Sequence, residues 1–269
     1  MVEIKDLDDP RIAFYKSLRY TPLLHIHSRV FIAEGEKVVL RLLASSLEIH
    51  SIFATMDFYE KYHHLIQGKG IPEDKRFFAS KNLMERIVGF HLHSGIMAIG
   101  FQPKDVSLDE LSEKVVVLNQ VNNAENVGLI MRTCRAFGID SIIVDRYSTS
   151  PYLRRAVRVS MGNVFYLKVR HSDDLIEDLS HLRLKGFQIV ACEVIDISVD
   201  LFKFEFSEKS ALIFGNEGKG ISDELINFSD VVVQIPISRN VDSLNVAITC
   251  GIFLCEIKRQ GMIKNVVNR

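Results

Sequence analysis

Six short apolar runs in the second part of the chain constrain its fold more than any other feature. Continuous runs of this kind are typical of strands whose two faces are both covered, as in a parallel sheet with helices on either side. We therefore predict an α/β fold built on a parallel sheet. The predicted strands are residues 115–120, 141–145, 164–169, 187–194, 211–215 and 231–235.

Helical patterns alternate with these runs, as a parallel sheet requires. They cover residues 127–137, 152–161 and 173–184, and Gly138 is placed to end the first helix. A last helix is predicted over 243–260, with Ser243 as its N-cap. Its apolar residues lie nearly all round, so we expect it to be buried against the sheet or a second subunit.

The first part of the chain predicts a separate, smaller α/β domain. Helical patterns at 11–20, 34–45, 58–67 and 81–87 alternate with β-rich pieces at 29–33, 49–54 and 96–101. Pro103 and several charged residues then interrupt the apolar pattern. We predict a first domain over 1–104, a linker over 105–111 and a second domain over 112–269.

Composition narrows the class of protein and its partners. With 47% hydrophobic and 25% charged residues the chain can bury a core, which excludes a disordered or collagen-like protein. The net charge of −1 gives no overall positive field, although residues 1–104 hold 14 basic and 12 acidic side chains. No run approaches the roughly 18 apolar residues of a membrane span, and the first ten residues are acidic. We expect a cytoplasmic protein without a membrane partner.

Cysteine and histidine spacings give little support to a disulfide framework or a metal site. The four cysteines, Cys134, Cys192, Cys250 and Cys255, form no CxxC pair. Two HxH spacings occur, at His25 and His27 and at His91 and His93, but no carboxylate or cysteine motif joins them. We predict no metal.

Three polar segments follow predicted strands, where ligands bind in open parallel sheets. They are residues 122–138, 214–222 and 235–245. The glycine turn in the second is not a Walker loop, because its lone Lys219 stands between Gly218 and Gly220. It also lacks the third glycine of a dinucleotide fingerprint. A tight turn that requires positive φ is the simpler interpretation.

Taken together, the three segments resemble the motifs of the SpoU (TrmH) family of RNA ribose 2′-O-methyltransferases. The matching residues are Asn126, Gly128, Arg132, Phe137 and Gly138 in the first motif, Gly215, Glu217, Gly218 and Gly220 in the second, and Ile235, Pro236, Ile237, Ser243, Leu244, Asn245 and Val246 in the third. Ser160 and Gly162 match a further recurrent pair. Ala124, Ile237 and Arg239 stand where relatives commonly have Pro, Met and Gly. The likeness spans about 115–260, and residues 31–43 resemble a ribosomal-protein-like RNA-binding domain.

The resemblance implies a knotted (trefoil) parallel-sheet methyltransferase domain that uses S-adenosylmethionine, forms a homodimer and follows a smaller α/β RNA-binding domain. The cofactor residues that it implies are Phe214, Gly215, Ile235, Ile237 and Leu244. The implied catalytic residues are Asn126, Arg132, Glu217, Ser243 and Asn245. Contacts to RNA are predicted for Arg154, Arg155, Arg158, Lys219 and Arg239.

Each of these residues also has an ordinary structural interpretation. Asn126 is placed to cap a helix, and Ile235 and Leu244 to fill a core. Glu217 either binds and orients Arg132 or the loop backbone, or is a turn carboxylate in water. We expect methylation of ribosomal RNA, with guanosine preferred. The alternatives are a transfer-RNA methyltransferase and a catalytically silent RNA-binding or ribosome-assembly factor. A small-molecule nucleotide enzyme is disfavoured because the phosphate-loop patterns fail.

Overall fold

The computed structural model describes residues 1–16, 18, 22–238 and 240–267, with side chains up to residue 263. Its contacts divide the chain into two compact units. Unit 1 comprises Met1–Lys104 and Tyr152–Phe165, and unit 2 comprises Asp105–Pro151 and Tyr166–Arg269.

Strands and helices are numbered here in chain order. The strands are β1 Val2–Glu3, β2 Val30–Glu34, β3 Ile49–Ala54, β4 Arg76–Phe78, β5 Ile96–Phe101, β6 Lys114–Leu118, β7 Ser141–Asp145, β8 Lys168–Ser172, β9 Gln188–Cys192, β10 Val199–Asp200, β11 Ser210–Phe214 and β12 Val231–Gln234. The helices are α1 Leu23–His27, α2 Glu36–Ala44, α3 Met56–Lys61, α4 His63–Gly68, α5 Lys81–Val88, α6 Ala124–Phe137, α7 Arg154–Val159, α8 Leu175–Leu184, α9 Asp223–Phe228 and α10 Val246–Val267.

Unit 1 is built on a five-stranded mixed sheet with the order β1-β4-β3-β5-β2. Strand β5 is antiparallel to both of its neighbours, and β1, β4 and β3 are parallel to one another. Every residue of β2 is buried, because both faces of the strand are covered. Ile32 belongs to a core with Ile12 and Met84, while Phe31 on the opposite face stacks on Phe165 at 5.1 Å between ring centroids.

Residues 152–165 were predicted to belong to the second domain, but they pack within unit 1. Arg154 on α7 donates to the buried carboxylate of Glu34 at 2.8 Å and to the carbonyl oxygen of Leu18 at 2.9 Å. Its guanidinium also lies 4.0 Å from the centre of the Phe90 ring. This segment therefore packs in unit 1 because of ring stacking and a charge pair with residues far away in sequence. A local sequence pattern does not reveal such contacts.

Unit 2 contains a seven-stranded, entirely parallel sheet with the order β10-β12-β9-β11-β6-β7-β8. The predicted parallel α/β fold is confirmed. Helices α8 and α9 cover one face, where Leu179 and Leu225 join the strand residues of the core. Helices α6 and α10 pack against each other, and on α10 Phe253 contacts Phe214 of β11 edge to face at 5.8 Å. Both faces of the central strands are therefore covered, which is why these strands are apolar throughout.

Several predicted elements differ from the observed ones. Residues 163–166 form a 3-10 helix and the strand begins only at Lys168, because the chain turns at Met161 and Gly162 with positive φ. The predicted helix 58–67 is broken at Tyr62 into α3 and α4. The proposed linker is ordered within unit 2, where Leu108 and Leu111 pack against the sheet core. Strands β1 and β4 were not predicted, since they are only two and three residues long.

No helix within the described ranges combines the length and the apolar character that crossing a membrane demands.

Arg154→Ala tests the structural role that the fold gives to this arginine. The Glu34 side chain is 7% exposed, so removal of its partner leaves a buried carboxylate whose remaining ion pair among the described residues is with Arg158 at 3.9 Å. We expect the free energy of unfolding to fall by about 2–4 kcal/mol, measured by urea denaturation of the full-length protein. Lys5→Ala removes the exposed ion pair of Lys5 with Glu3 and should change the free energy of unfolding by less than about 0.5 kcal/mol. Equal effects of the two changes would contradict the assignment.

Candidate functional site

The carboxyl ends of three neighbouring strands, β12, β9 and β11, form one side of a cleft in unit 2. Because β6, β11, β9 and β12 are parallel and adjacent, the loops that follow them meet at the same edge of the sheet. The cleft has a volume of about 490 Å³ and lies beside β9, β11, β12 and the start of α10. Its size is that of a small-molecule site.

All five residues predicted to bind a cofactor line this cleft. They are Phe214, Gly215, Ile235, Ile237 and Leu244. Phe214 is fully buried and Ile235 is nearly so, whereas Ile237 and Leu244 are half-buried. These apolar side chains line the same cleft as the glycine turn, and this combination suits a ligand with a flat apolar part and polar edges.

The glycine turn at 215–220 is closed by its own backbone. Asn216 and Gly220 exchange hydrogen bonds of 3.1 and 2.8 Å, and Gly220 has a φ of +70°. The Oδ1 atom of Asn216 accepts the N–H groups of Gly218 and Lys219, while its amide donates to the carbonyl oxygen of Gln120 at 2.9 Å. A Cβ atom at Gly215 would lie 2.4 Å from the backbone of Gly220, so this position accepts only glycine.

Three of the predicted catalytic residues meet beside the cleft. The Asn245 amide donates to the Asn126 Oδ1 atom at 3.0 Å and to a carboxylate oxygen of Glu217. Asn126 is 5% exposed and lies on α6, whereas Glu217 and Asn245 come from the loops after β11 and β12. Ser243 lines the same cleft. Three segments far apart in sequence thus converge on one polar cluster.

The helix caps differ from those predicted. Asn123, not Asn126, caps α6, since its side chain accepts the N–H groups of Glu125 and Asn126. Asn245, not Ser243, caps α10, accepting the N–H groups of Ala247 at 3.0 Å and Ile248 at 3.3 Å. The helix begins later than predicted, and an asparagine amide both caps it and donates to other groups.

Arg132 lies on α6 with an exposed side chain that does not line the cleft. Glu217 accepts from Asn245, and among the described residues no ion pair joins it to Arg132. Among the residues that the structure describes, the Arg132 side chain has no hydrogen bond and no ion pair. An arginine of this kind is free to bind an anion from outside the chain.

The five arginines and lysines predicted to contact RNA have different surroundings. Arg154 is held by Glu34, and Arg158, 41% exposed, lies 3.9 Å from the same carboxylate. Arg155 belongs to α7 in unit 1, and Lys219 is exposed at the glycine turn beside the cleft. Arg239 lies outside the described residues.

The histidines of the two HxH spacings do not converge. His25 is buried and its Nε2 atom lies 2.7 Å from the carbonyl oxygen of Phe14, while His27 on the same short helix is exposed. His91 is exposed and lies 3.4 Å from Glu85. Across the described ranges, no group of three His, Cys, Asp or Glu side chains is arranged to hold a metal.

Sequence reasoning missed the part of the cleft that β9 supplies. Cys192 ends this strand and Glu193 follows it, and both line the cleft because β9 lies next to β11 in the sheet. Burial, together with the neighbouring Glu193 carboxylate, raises the pKa of the Cys192 thiol well above its usual value. The thiol therefore stays protonated and forms an apolar wall. The only sequence signal was a carboxylate near the end of the run at 187–194.

The protein belongs to the SpoU rRNA Methylase family, whose model matches residues 113–255. The matched region lies mainly in unit 2 and includes the glycine turn and the cluster of Asn126, Glu217 and Asn245. The family predicted from the three motifs is thereby confirmed, and the class of protein is an RNA methyltransferase.

The protein is similar to relatives that match three quarters or more of its length. An uncharacterized tRNA/rRNA methyltransferase of Mycobacterium bovis is 32% identical over 96% of this chain and 92% of its own. The 23S rRNA (guanosine-2′-O-)-methyltransferase RlmB of Acinetobacter baylyi is 29% identical over 75% of this chain and 84% of its own. The crystal structure of an AdoMet-bound rRNA methyltransferase from Sinorhizobium meliloti aligns with a TM-score of 0.83 and 26% identity, covering 96% of this chain and 97% of that one.

Gly215→Ala tests whether the close backbone approach shapes the cleft. The added methyl group would lie 2.4 Å from backbone atoms of Gly220 and Ile221, which cannot move without opening the turn. We expect unfolding to become easier by about 2 kcal/mol or more, measured by thermal denaturation. At Gly218 the nearest atom would be 3.5 Å away, so Gly218→Ala should stay within about 0.5 kcal/mol of the parent. An unchanged midpoint for Gly215→Ala would count against this description of the turn.

Proposed function

We propose that this protein transfers a methyl group from S-adenosylmethionine to a ribose 2′-hydroxyl in RNA, with ribosomal RNA as substrate and guanosine as the preferred nucleoside. The observation that carries the proposal is the cluster of Asn126, Glu217 and Asn245 at the rim of an apolar cleft. The name of the Acinetobacter baylyi relative supports the ribose hydroxyl and guanosine. The bound cofactor of the Sinorhizobium meliloti structure supports the methyl donor.

The cleft fits S-adenosylmethionine in size and in the chemistry of its walls. A volume of about 490 Å³ accommodates a nucleoside with an amino-acid tail. Phe214, Ile235, Ile237 and Leu244 offer apolar contacts to an adenine ring, and the backbone at Gly215 offers hydrogen bonds to its edge. When bound, the cofactor supplies an electrophilic methyl carbon.

Asn126 is suited to hold the ribose that accepts the methyl group. Its oxygen accepts from Asn245 and keeps a second lone pair, and its amide nitrogen can donate to a ribose hydroxyl. Asn245, whose four hydrogen-bonding positions are occupied, holds Asn126 in that position. Glu217 accepts from Asn245 and thereby fixes the direction of its amide. Ser243, two residues before Asn245, lines the cleft and contributes a hydroxyl group to the substrate side.

Arg132 serves in this proposal as an anion clamp. A ribose hydroxyl must lose its proton as its oxygen forms the new bond to carbon, so negative charge develops on that oxygen. A guanidinium is already protonated and cannot accept that proton, but it stabilises an oxyanion or an adjacent RNA phosphate through several N–H donors. The exposed and unpaired state of Arg132 among the described residues supports this role.

A homodimer and a trefoil knot complete the proposal. Leu129, 40% exposed on α6, and Ile248, 56% exposed on α10, present apolar surface on the same helix pair as Arg132. A second copy packed there would cover this surface. The family resemblance supports a knot formed by the chain between β11 and α10. A monomer mass in light scattering at micromolar protein concentration would contradict the dimer.

Unit 1 is proposed to bind the RNA substrate, and the protein to act in the cytoplasm. The basic residues proposed to contact RNA phosphates are Arg155 and Arg158 of unit 1 and Lys219 and Arg239 of unit 2. The likeness of residues 31–43 to a ribosomal-protein-like domain favours ribosomal over transfer RNA. A catalytically silent factor is the rival interpretation, and the assembled cluster of Asn126, Glu217 and Asn245 argues against it.

Transfer of labelled methyl from S-adenosylmethionine to total RNA tests the reaction. The RNA should come from a strain that lacks this gene, so that the target nucleotide is unmodified. After nuclease digestion, we expect mass analysis of the nucleosides to show 2′-O-methylguanosine, in ribosomal RNA when the RNA classes are assayed separately. Label in transfer RNA would favour the alternative substrate. If the protein neither binds the cofactor nor transfers labelled methyl to RNA, the silent factor is favoured.

Arg132→Ala separates catalysis from cofactor binding. Because Arg132 lies outside the cleft, we expect this variant to bind S-adenosylmethionine normally and to lose methyl transfer by about 100-fold or more. Arg135→Ala removes the same charge from the same helix, at a side chain that stacks on Tyr166, and should retain transfer. Near-normal turnover by Arg132→Ala would remove this arginine from the mechanism.

A further inference from the structure

Glu193 is a carboxylate of the cleft that neither the family motifs nor the proposed mechanism uses. It follows β9 and is half-buried. Its Oε2 atom accepts the N–H group of Ile221 at 2.9 Å, and its Oε1 atom accepts the N–H group of Val194 at 3.0 Å. A Cβ atom at Gly220 would lie 2.6 Å from the same Oε2 atom. The carboxylate is therefore fixed against the glycine turn rather than free in solvent.

The cleft as a whole carries an excess of negative charge. Its described lining contains four carboxylates, of Glu193, Glu217, Asp223 and Asp242, against the single ammonium of Lys219. Glu193 differs from the other three in being half-buried, whereas they are exposed. Because water and salt screen an exposed charge more than a partly buried one, Glu193 acts most strongly on a ligand in the cleft.

The two forms of the cofactor differ in charge at sulfur. S-adenosylmethionine carries a positive sulfonium, and loss of the methyl group leaves the neutral thioether of S-adenosylhomocysteine. The amino and carboxyl groups are the same in both forms. A fixed negative charge in the cleft therefore favours the methyl donor over the product.

We propose that Glu193 is a specificity-determining residue that makes the cleft bind the sulfonium form of the cofactor in preference to the thioether form. This inference rests on the proposed function, since it takes the cleft to be the cofactor site. The hydrogen bonds to Ile221 and Val194 hold the carboxylate in place, so its charge acts without a cost of reorganisation. The preference limits inhibition by the product and helps each turnover to end in release.

Calorimetric binding of the two cofactor forms tests the inference. Glu193→Gln removes the charge and keeps one oxygen, which can accept from Ile221, while its amide nitrogen replaces the oxygen that accepts from Val194. We expect the affinity for S-adenosylmethionine to fall by about fivefold, as for one unit charge acting across a partly solvated cleft. The affinity for S-adenosylhomocysteine should change by less than about twofold. The affinity for sinefungin, which has an amine where the sulfonium carries its methyl group, should fall as the affinity for S-adenosylmethionine does. Glu224→Gln is the matched control, because Glu224 is an exposed glutamate of unit 2 outside this cleft, and it should change neither affinity.

The outcomes separate charge selection from other roles. Equal weakening of both cofactor forms would assign Glu193 a structural role through the N–H group of Ile221 and overturn the inference. Unchanged affinities would overturn it as well. If the parent protein binds neither form, the proposed function fails first and the inference falls with it. If the parent binds both forms and only the sulfonium preference is lost in Glu193→Gln, both proposals are supported.

Discussion

The approach of the Gly215 backbone to Gly220 is the contact around which the site is arranged. At this point β11 has just ended, and the chain folds back so tightly that no side chain fits between the two segments. The tight turn brings the Ile221 N–H group to Glu193 and places Glu217 within reach of Asn245. A single steric requirement at one residue thus fixes a wall of the cleft and one side of the polar cluster.

Asn245 joins secondary structure to the polar cluster because its amide has both an acceptor and donors. Its oxygen satisfies two N–H groups at the start of α10, and its nitrogen binds Asn126 and Glu217. Aspartate would cap the helix equally well, but it would lose both donated bonds and place a second negative charge beside Glu217. Serine, which the sequence also offers at 243, has too few hydrogen-bonding positions for all four contacts.

Much of the fold was predictable from the sequence, since burial on both faces leaves a direct record in the residues. Ser141–Asp145 matches its predicted strand, and Gly138 ends α6 in the left-handed conformation as expected. Spatial order leaves no such record, so the neighbouring position of β9, which brings Glu193 into the cleft, was not predicted. The sequence also did not predict which of two similar residues would cap a helix. Asn123 and Asn126 are both good caps, and only the packing of α6 decides between them.

The inserted place of residues 152–165 has a consequence for how the protein is made. Glu34 meets Arg154 across 120 positions of the chain, and Phe31 meets Phe165 across a still longer separation. During synthesis, the first 104 residues emerge without these partners, so unit 1 cannot complete its packing until residue 165 has left the ribosome. By then the first two strands of the unit 2 sheet have also been made. The two units are therefore expected to mature together, rather than one after the other as in a simple tandem of domains.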